Sequence, residues 1–483
     1  MKRRQFIKAA AATFGATLTP SLAACSAAKR SNLASVKPVQ QLPGDVARTW
    51  IGEAFWANRL QDWRLANGRI ECLQGDQDLE VRGVALLTRF LENDHKPGRV
   101  RARVGLVEQG KNGFCGFLLG AGHGELDYRG AALVHARAGT NGGFLAVIDE
   151  SGELSFRDFS SQDKPLAFEQ FARSDASAGG PVGTREVVLD CHIDPVDGGL
   201  YDVRLVATDA ASGDELGFAV RTGVAAHEVA GGISLISSPP PGEAGARWWF
   251  ADVETGGDKI GEYEDRQLGP LMGCLHSVNQ SVLKLTAQFM PLSSAEQSQA
   301  RLDYRREGES AWTHGPVAEI AEGYLAAFRI DDWDNSKDVA YRVRHGEQAQ
   351  FEGRIRKDPI EKDVIVVGNL SCNSSRTPGP RPKMIDNLKR IDPDVLFFAG
   401  DQSYHHTEHT YGWLEFGVQF RDILKDRPVV TIPDDHDVGQ ANIWGENGKK
   451  ATNPAGPSGG YFYPPKYVNM VQRCQTWHLP DPY

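Results

Sequence analysis

Two textures of apolar and polar patterning divide this chain. From Trp50 to about Ile260, short runs such as residues 185–190 (Arg-Glu-Val-Val-Leu-Asp) and 201–207 (Tyr-Asp-Val-Arg-Leu-Val-Ala) alternate apolar and polar positions between glycine-rich turns. A period of two puts one face of a strand into a core and the other into water, which predicts an all-β sandwich over residues 46–262. The Trp248-Trp249-Phe250 run reads as a further strand with its rings in the core. Val282–Phe289 and residues 339–344 repeat the alternation within residues 266–358 and predict a smaller sandwich of immunoglobulin or fibronectin type.

After Pro359 the pattern changes. Residues 363–368 hold the unbroken apolar run Val-Ile-Val-Val, as expected of a strand covered on both faces of a parallel sheet. Met384, Ile385, Leu388 and Ile391 follow helical spacing; residues 394–399 read as a second strand, 414–425 as a second helix and 428–432 as a third strand. Strand, helix, strand, helix, strand predicts parallel βαβ units over residues 360–483. The expected fold class is therefore multidomain, with N-terminal all-β sandwich domains, the first of which (46–262) resembles the lectin-like jelly-roll domains attached to secreted enzymes, followed by a partial, layered α/β domain.

The first 25 residues change the picture of where the protein works. Lys2, Arg3, Arg4 and Lys8 precede an uncharged, alanine-rich stretch, which reads as a twin-arginine-type export leader. Leu22-Ala23-Ala24-Cys25 resembles a lipobox, so Cys25 is expected to become a lipidated N-terminal residue. Gly15, Thr17, Thr19 and Pro20 interrupt the stretch too often for a membrane span. Residues 26–45 read as a linker, and the product is expected to be periplasmic, cell-surface or extracellular. The net charge of −10, which would become −14 without the leader's four cations, argues against a nucleic-acid partner. Seven cysteines without any Cys-x-x-Cys pair argue against a zinc ribbon or a disulfide scaffold.

The candidate chemistry lies where the three parallel strands end. Asn369-Leu370-Ser371-Cys372-Asn373 follows the first, Gly400-Asp401-Gln402-Ser403-Tyr404 the second, and Pro433-Asp434-Asp435-His436-Asp437 the third. In open parallel sheets, ligands bind at that edge. Asp401, Asp434, Asp435 and Asp437 gathered there would repel one another unless protons or cations intervened. With the Cys372 thiol, the Tyr404 phenol and imidazoles nearby, the set suits iron at the sulfur and phenol end and a harder cation at the oxygen end. His405, His406 and His409 are read as solvated loop residues, and residues 451–483 as a substrate-side loop leading into more chain.

These strand endings resemble the metallo-dependent phosphatase superfamily, and more narrowly the PhoD-like alkaline phosphatase and phosphodiesterase family, over about residues 360–450. The resemblance implies a metal-dependent phosphoester hydrolase that uses a metal-activated water, with phosphate mono- or diesters as substrates. By the same resemblance Cys372, Asp401, Tyr404 and Asp435 are metal ligands and His436 and Asp437 act in catalysis, Asp437 by orienting His436. Asp434 and Asn442 then support substrate. The implied cofactors are iron plus calcium, with manganese, magnesium or zinc as alternatives. The family has further His or Asp ligands after the third block, so the chain is expected to continue beyond Tyr483 as the N-terminal part of a larger domain. The competing reading is a surface glycan-binding lipoprotein carrying a degenerate or truncated phosphatase-like domain.

Overall fold

The computed structural model describes residues 34–481 except 76–80, 111–112, 135–136, 178, 239–244, 297, 348, 375–380, 407, 440–448 and 453–459. The leader, Cys25 and Asn442 therefore lie outside the described residues.

The molecule is built mostly of β-strands in several sheets. Strong alternation in Val187–Val196, Leu200–Asp209 and Gly98–Glu108 buries every second side chain, and these strands pair antiparallel in one broad sheet. A second sheet, centred on Arg82–Leu91, Gly231–Ser238 and Phe114–Ala121, faces it. Trp63, Trp248, Phe250, Phe117 and Phe144 fill the space between them, whereas Trp249, on the other face of its strand, is covered by the Arg69 and Arg103 guanidinium groups. Arg247–Gly256, which carries the aromatic run at 248–250, lies inside the first sheet, between Gly98–Glu108 and Arg69–Cys72. Part of the expected linker is structured: Val36–Pro38 pairs with Arg247–Gly256, and Val39 is buried. A Val-Lys-Pro-Val run can satisfy its backbone groups along an open stretch of sheet, which polar composition alone did not reveal.

The second sandwich sets a three-stranded sheet (Leu271–Asn279, Val282–Phe289, Leu325–Ile330) against a four-stranded one (Gln299–Arg306, Thr313–Glu319, Val339–His345, Ala349–Ile355). Leu285, Phe289, Leu302, Tyr341 and Val343 form its core.

Next come three parallel strands, Val367–Leu370, Val395–Phe398 and Val429–Thr431, with helices Arg381–Ile391, His409–Leu424 and Pro465–Thr476. The first strand departs from expectation. It begins at Val367, its pattern is exposed, and Val364 to Val367 are 71%, 48%, 41% and 54% accessible. The reason is position in the sheet: among the described residues this strand pairs only with Val395–Phe398, so it is an edge and not a centre.

Helix His409–Leu424 ties the domains together because it is apolar on two faces. Tyr411, Leu414 and Val418 enter the core of the first sandwich, whereas Trp413, Phe416, Phe420 and Ile423 cover the parallel sheet. Arg129 donates to Asp422 at 2.7 Å from the first sandwich, and Trp413 Nε1 donates to Gln288 at 3.1 Å in the second. The elements that carry the strand-end loops are thus held by both β-domains.

One junction stores sensitivity to acid. His276 and His478 are both fully buried where the second sandwich meets the parallel sheet. His478 Nε2 donates to the Val429 carbonyl at 3.0 Å, but neither ring nitrogen of His276 finds a hydrogen-bond partner among the described residues. Burial pushes His276 down to about 3 and His478 to about 4. A histidine kept neutral in this way contributes stability above its unfolded pKa and loses it as pH falls toward the folded value. Urea unfolding of His276→Phe is therefore expected to show a shallower loss of stability below pH ~6.5, by up to about 1.4 kcal/mol per pH unit relative to the parent chain. Parallel pH profiles for the two proteins would contradict this.

Candidate metal centre

All three strand-end loops meet at one point, and their backbones are bent to do so. Cys372 and Asp401 both take left-handed conformations, with φ of 58° and 56°. Such conformations are uncommon for residues with a side chain and persist only where surrounding contacts hold them. Here Cys372 N donates to the Gly400 carbonyl at 3.2 Å and Asn373 N to the Asp401 carbonyl at 2.8 Å. Gly400, at φ 90°, lets the second loop touch the third, since a Cβ there would lie 2.4 Å from that of Asp434.

Asp437 clamps the second and third loops from below. Its Oδ2 accepts the amides of Asp401 (2.8 Å) and Asp434 (3.0 Å), and its Oδ1 those of Gln402 (2.9 Å) and Ser403 (3.3 Å). Burial pushes its carboxyl up to about 6 despite these donors. The expected side-chain contact that would orient His436 is thus replaced by a set of backbone contacts. Gln402 in turn donates to the Ile432 carbonyl at 2.8 Å and to Gln475 at 3.1 Å, so helix Pro465–Thr476 supports the site from beneath. The substrate-side loop expected over residues 451–483 is corrected there: the spacing of Val468, Val471 and Gln475 marks a helix face.

Above the clamp, Asp401, Asp435 and His436 each bring one potential ligand atom to within 4.8 Å of the others. Tyr404 donates its hydroxyl to Asp401 Oδ2 at 3.0 Å, and the Cys372 thiol lies 3.6 Å from the same oxygen. The other oxygen, Asp401 Oδ1, is buried and finds no hydrogen-bond partner among the described residues. Burial raises the Asp401 carboxyl, His436 and Tyr404 draw it back, and Asp435 and Asp434 push it up again. Burial and the contacts with Cys372 and Asp401 likewise push the Tyr404 phenol up. Asp434 is exposed and its Oδ1 accepts the Asp435 amide at 2.8 Å, which shapes the turn.

The donor set fits a bound cation. Leaving a buried carboxylate oxygen without a donor costs about 1–3 kcal/mol or more, and a cation would remove that cost. The two carboxylates suit manganese, magnesium, iron or zinc, and the adjacent thiol and phenol add the softer donors that iron accepts.

The loop histidines are not solvated. His409 is buried and pushed down to about 3 by burial, while His405 and His406 are half-buried. The His405 ring meets Glu415 at 2.9 Å, and the His406 ring contacts His436. His405 and His406 follow a strand end that already carries Asp401, and that position was the available signal.

No protein-family model matches the chain, and no curated protein sequence matches it. Among solved structures, one described as the structure of PhoD is similar over 38% of this chain and 41% of its own, with 13% identity and a TM-score of 0.32. A purple acid phosphatase from yellow lupin (Lupinus luteus) seeds is similar over 85% of this chain and 61% of its own, with 12% identity and a TM-score of 0.35. A Bauhinia forficata lectin in complex with GalNAc covers 46% of this chain at 10% identity, 98% of its own length and a TM-score of 0.26. The chain spans less than two thirds of either phosphatase structure, and likenesses at these scores carry no weight on activity.

Proposed function

We propose that this chain carries the reactive centre of an exported, metal-dependent phosphoester hydrolase. The observation that supports it most is the meeting of Cys372, Asp401, Tyr404, Asp435 and His436 at the ends of parallel strands, with a buried Asp401 oxygen that lacks a donor among the described residues. The strand-end motifs and their PhoD-like resemblance supply the reaction class. Asp401 and Asp435 would hold the cations, with Cys372 and Tyr404 on the iron side and calcium, or manganese, magnesium or zinc, on the oxygen side. Bound cations there would supply Lewis acidity toward a phosphoryl oxygen and neutralise charge developing on phosphorus.

The chain's own residues do the remaining work. Asp437 fixes the two loops so that the ligand atoms need not reorganise on binding. Tyr404 packs on the His436 ring at a centroid distance of 4.3 Å and limits its rotation. His436, half-buried beside the carboxylates, would give a proton to the leaving alkoxide. The leader and the Cys25 motif support work outside the cytoplasm, on a membrane anchor.

The test is metal analysis of the purified full chain alongside hydrolysis of 4-nitrophenyl phosphate and bis(4-nitrophenyl) phosphate, before and after chelation. Bound metal at one or more equivalents, with hydrolysis lost on chelation and restored by metal, is the expected outcome. A metal-free chain that binds polysaccharide and hydrolyses neither ester would support the glycan-binding alternative.

A further inference from the structure

We infer that His406 is the positioning residue for His436, filling the role that Asp437 gives up to the loop amides; the inference rests on the hydrolase reading for its kinetic consequence. The geometry is direct. His406 Nε2 meets His436 Nδ1, and the two rings stack with centroids 4.6 Å apart and planes 27° apart. Both Asp437 oxygens, by contrast, face the amides of Asp401, Gln402, Ser403 and Asp434.

The loop bearing His406 is fastened on both sides of it. His405 N donates to Ser403 Oγ at 3.1 Å, the His405 ring meets Glu415 at 2.9 Å, and Glu408 N donates to the His405 carbonyl at 3.0 Å. From the opposite side Gly439, at φ 99°, brings the third loop against it, since a Cβ there would lie 2.9 Å from the His406 carbonyl oxygen. The imidazole is therefore held at His436 by structure already paid for elsewhere in the loop.

An imidazole has two ring nitrogens with separate duties, and the partner of one decides the state of the other. With Nδ1 engaged by His406, Nε2 is the nitrogen of His436 left for the leaving group. In this arrangement the Nδ1–H of His436 donates to the lone pair on His406 Nε2, which fixes the plane of the His436 ring and the direction of its Nε2. An imidazole in this place orients the ring without adding another negative charge to a site that already gathers Asp401, Asp434 and Asp435.

The test uses the full chain with His406→Ala and His406→Gln, the latter retaining an acceptor on a side chain long enough to reach. In His406→Ala, kcat for the aryl phosphate is expected to fall about 10- to 100-fold with KM and metal content unchanged, and His406→Gln is expected to recover most of the rate. Long-range nitrogen–proton NMR of the imidazoles should find neutral His436 as the Nδ1–H tautomer in the parent chain, a preference lost in His406→Ala. An unchanged kcat, loss of metal together with rate, or an Nε2–H tautomer in the parent chain would each overturn the assignment. If the parent chain hydrolyses no phosphoester, the hydrolase reading falls, and the tautomer alone decides the role of His406.

Discussion

Asp401→Asn is expected to abolish metal retention and to lower phosphoester turnover by on the order of 10³-fold or more, because the several kcal/mol of charge stabilisation a cation supplies would go with the metal. The same change is expected to stabilise the metal-free protein. Asp401 sits buried with one oxygen lacking a donor among the described residues and with Asp434 and Asp435 beside it, and burial raises its carboxyl. A carboxylate raised in this way contributes stability below its unfolded pKa of about 3.9 and loses it as pH rises through the folded value. At neutral pH the metal-free parent chain therefore carries the cost of an ionised Asp401, which an amide of the same shape avoids. Denaturant unfolding in chelator should show the Asp401→Asn variant at least as stable as the parent at pH 7, with the gap closing toward pH 4. Tight metal retention and full turnover in the variant would remove Asp401 from the centre.

Asp437→Ala should act in the opposite sense. Four backbone amides from two loops lose their acceptor inside a buried region, and net losses of about 1 kcal/mol each add to roughly 4 kcal/mol of destabilisation. Metal affinity should fall with it, since Asp401 and Asp435 lie on the loops that come apart. Asp437→Asn, which keeps one acceptor oxygen, should lose less on both counts. The contrast separates the two aspartates: one costs the metal-free fold stability and holds the cation, the other holds the fold. Equal and small effects of both substitutions on metal-free stability would contradict that division.

Much of this arrangement was legible in the chain. Period-two alternation marked strands such as Val282–Phe289 to the residue, and the apolar spacing at 384–391 marked the helix now seen at Arg381–Ile391. The three strand endings located the cluster because parallel sheets bring their carboxyl ends to one edge. Other features depended on contacts that no local pattern encodes. The run Val364–Val367 is as apolar as a central strand, but burial depends on neighbours, and at the edge of this sheet it has one among the described residues. Asp437 and His436 are adjacent in sequence, which suggested a pair, yet the turn that begins at Asp434 aims the Asp437 carboxylate back at loop amides instead. His406 reads as one of several polar loop residues until Gly439 brings the third loop against it.

The central claim is that anionic side chains from three strand ends converge on a cation. Diffraction from crystals of the metal-loaded full chain, measured on both sides of the iron or manganese absorption edge, tests it most directly. An anomalous peak within bonding distance of Asp401 Oδ1, with Asp435 as a second ligand, is the predicted result. A peak elsewhere, or loaded crystals in which Asp401 Oδ1 contacts only protein or water, would contradict it.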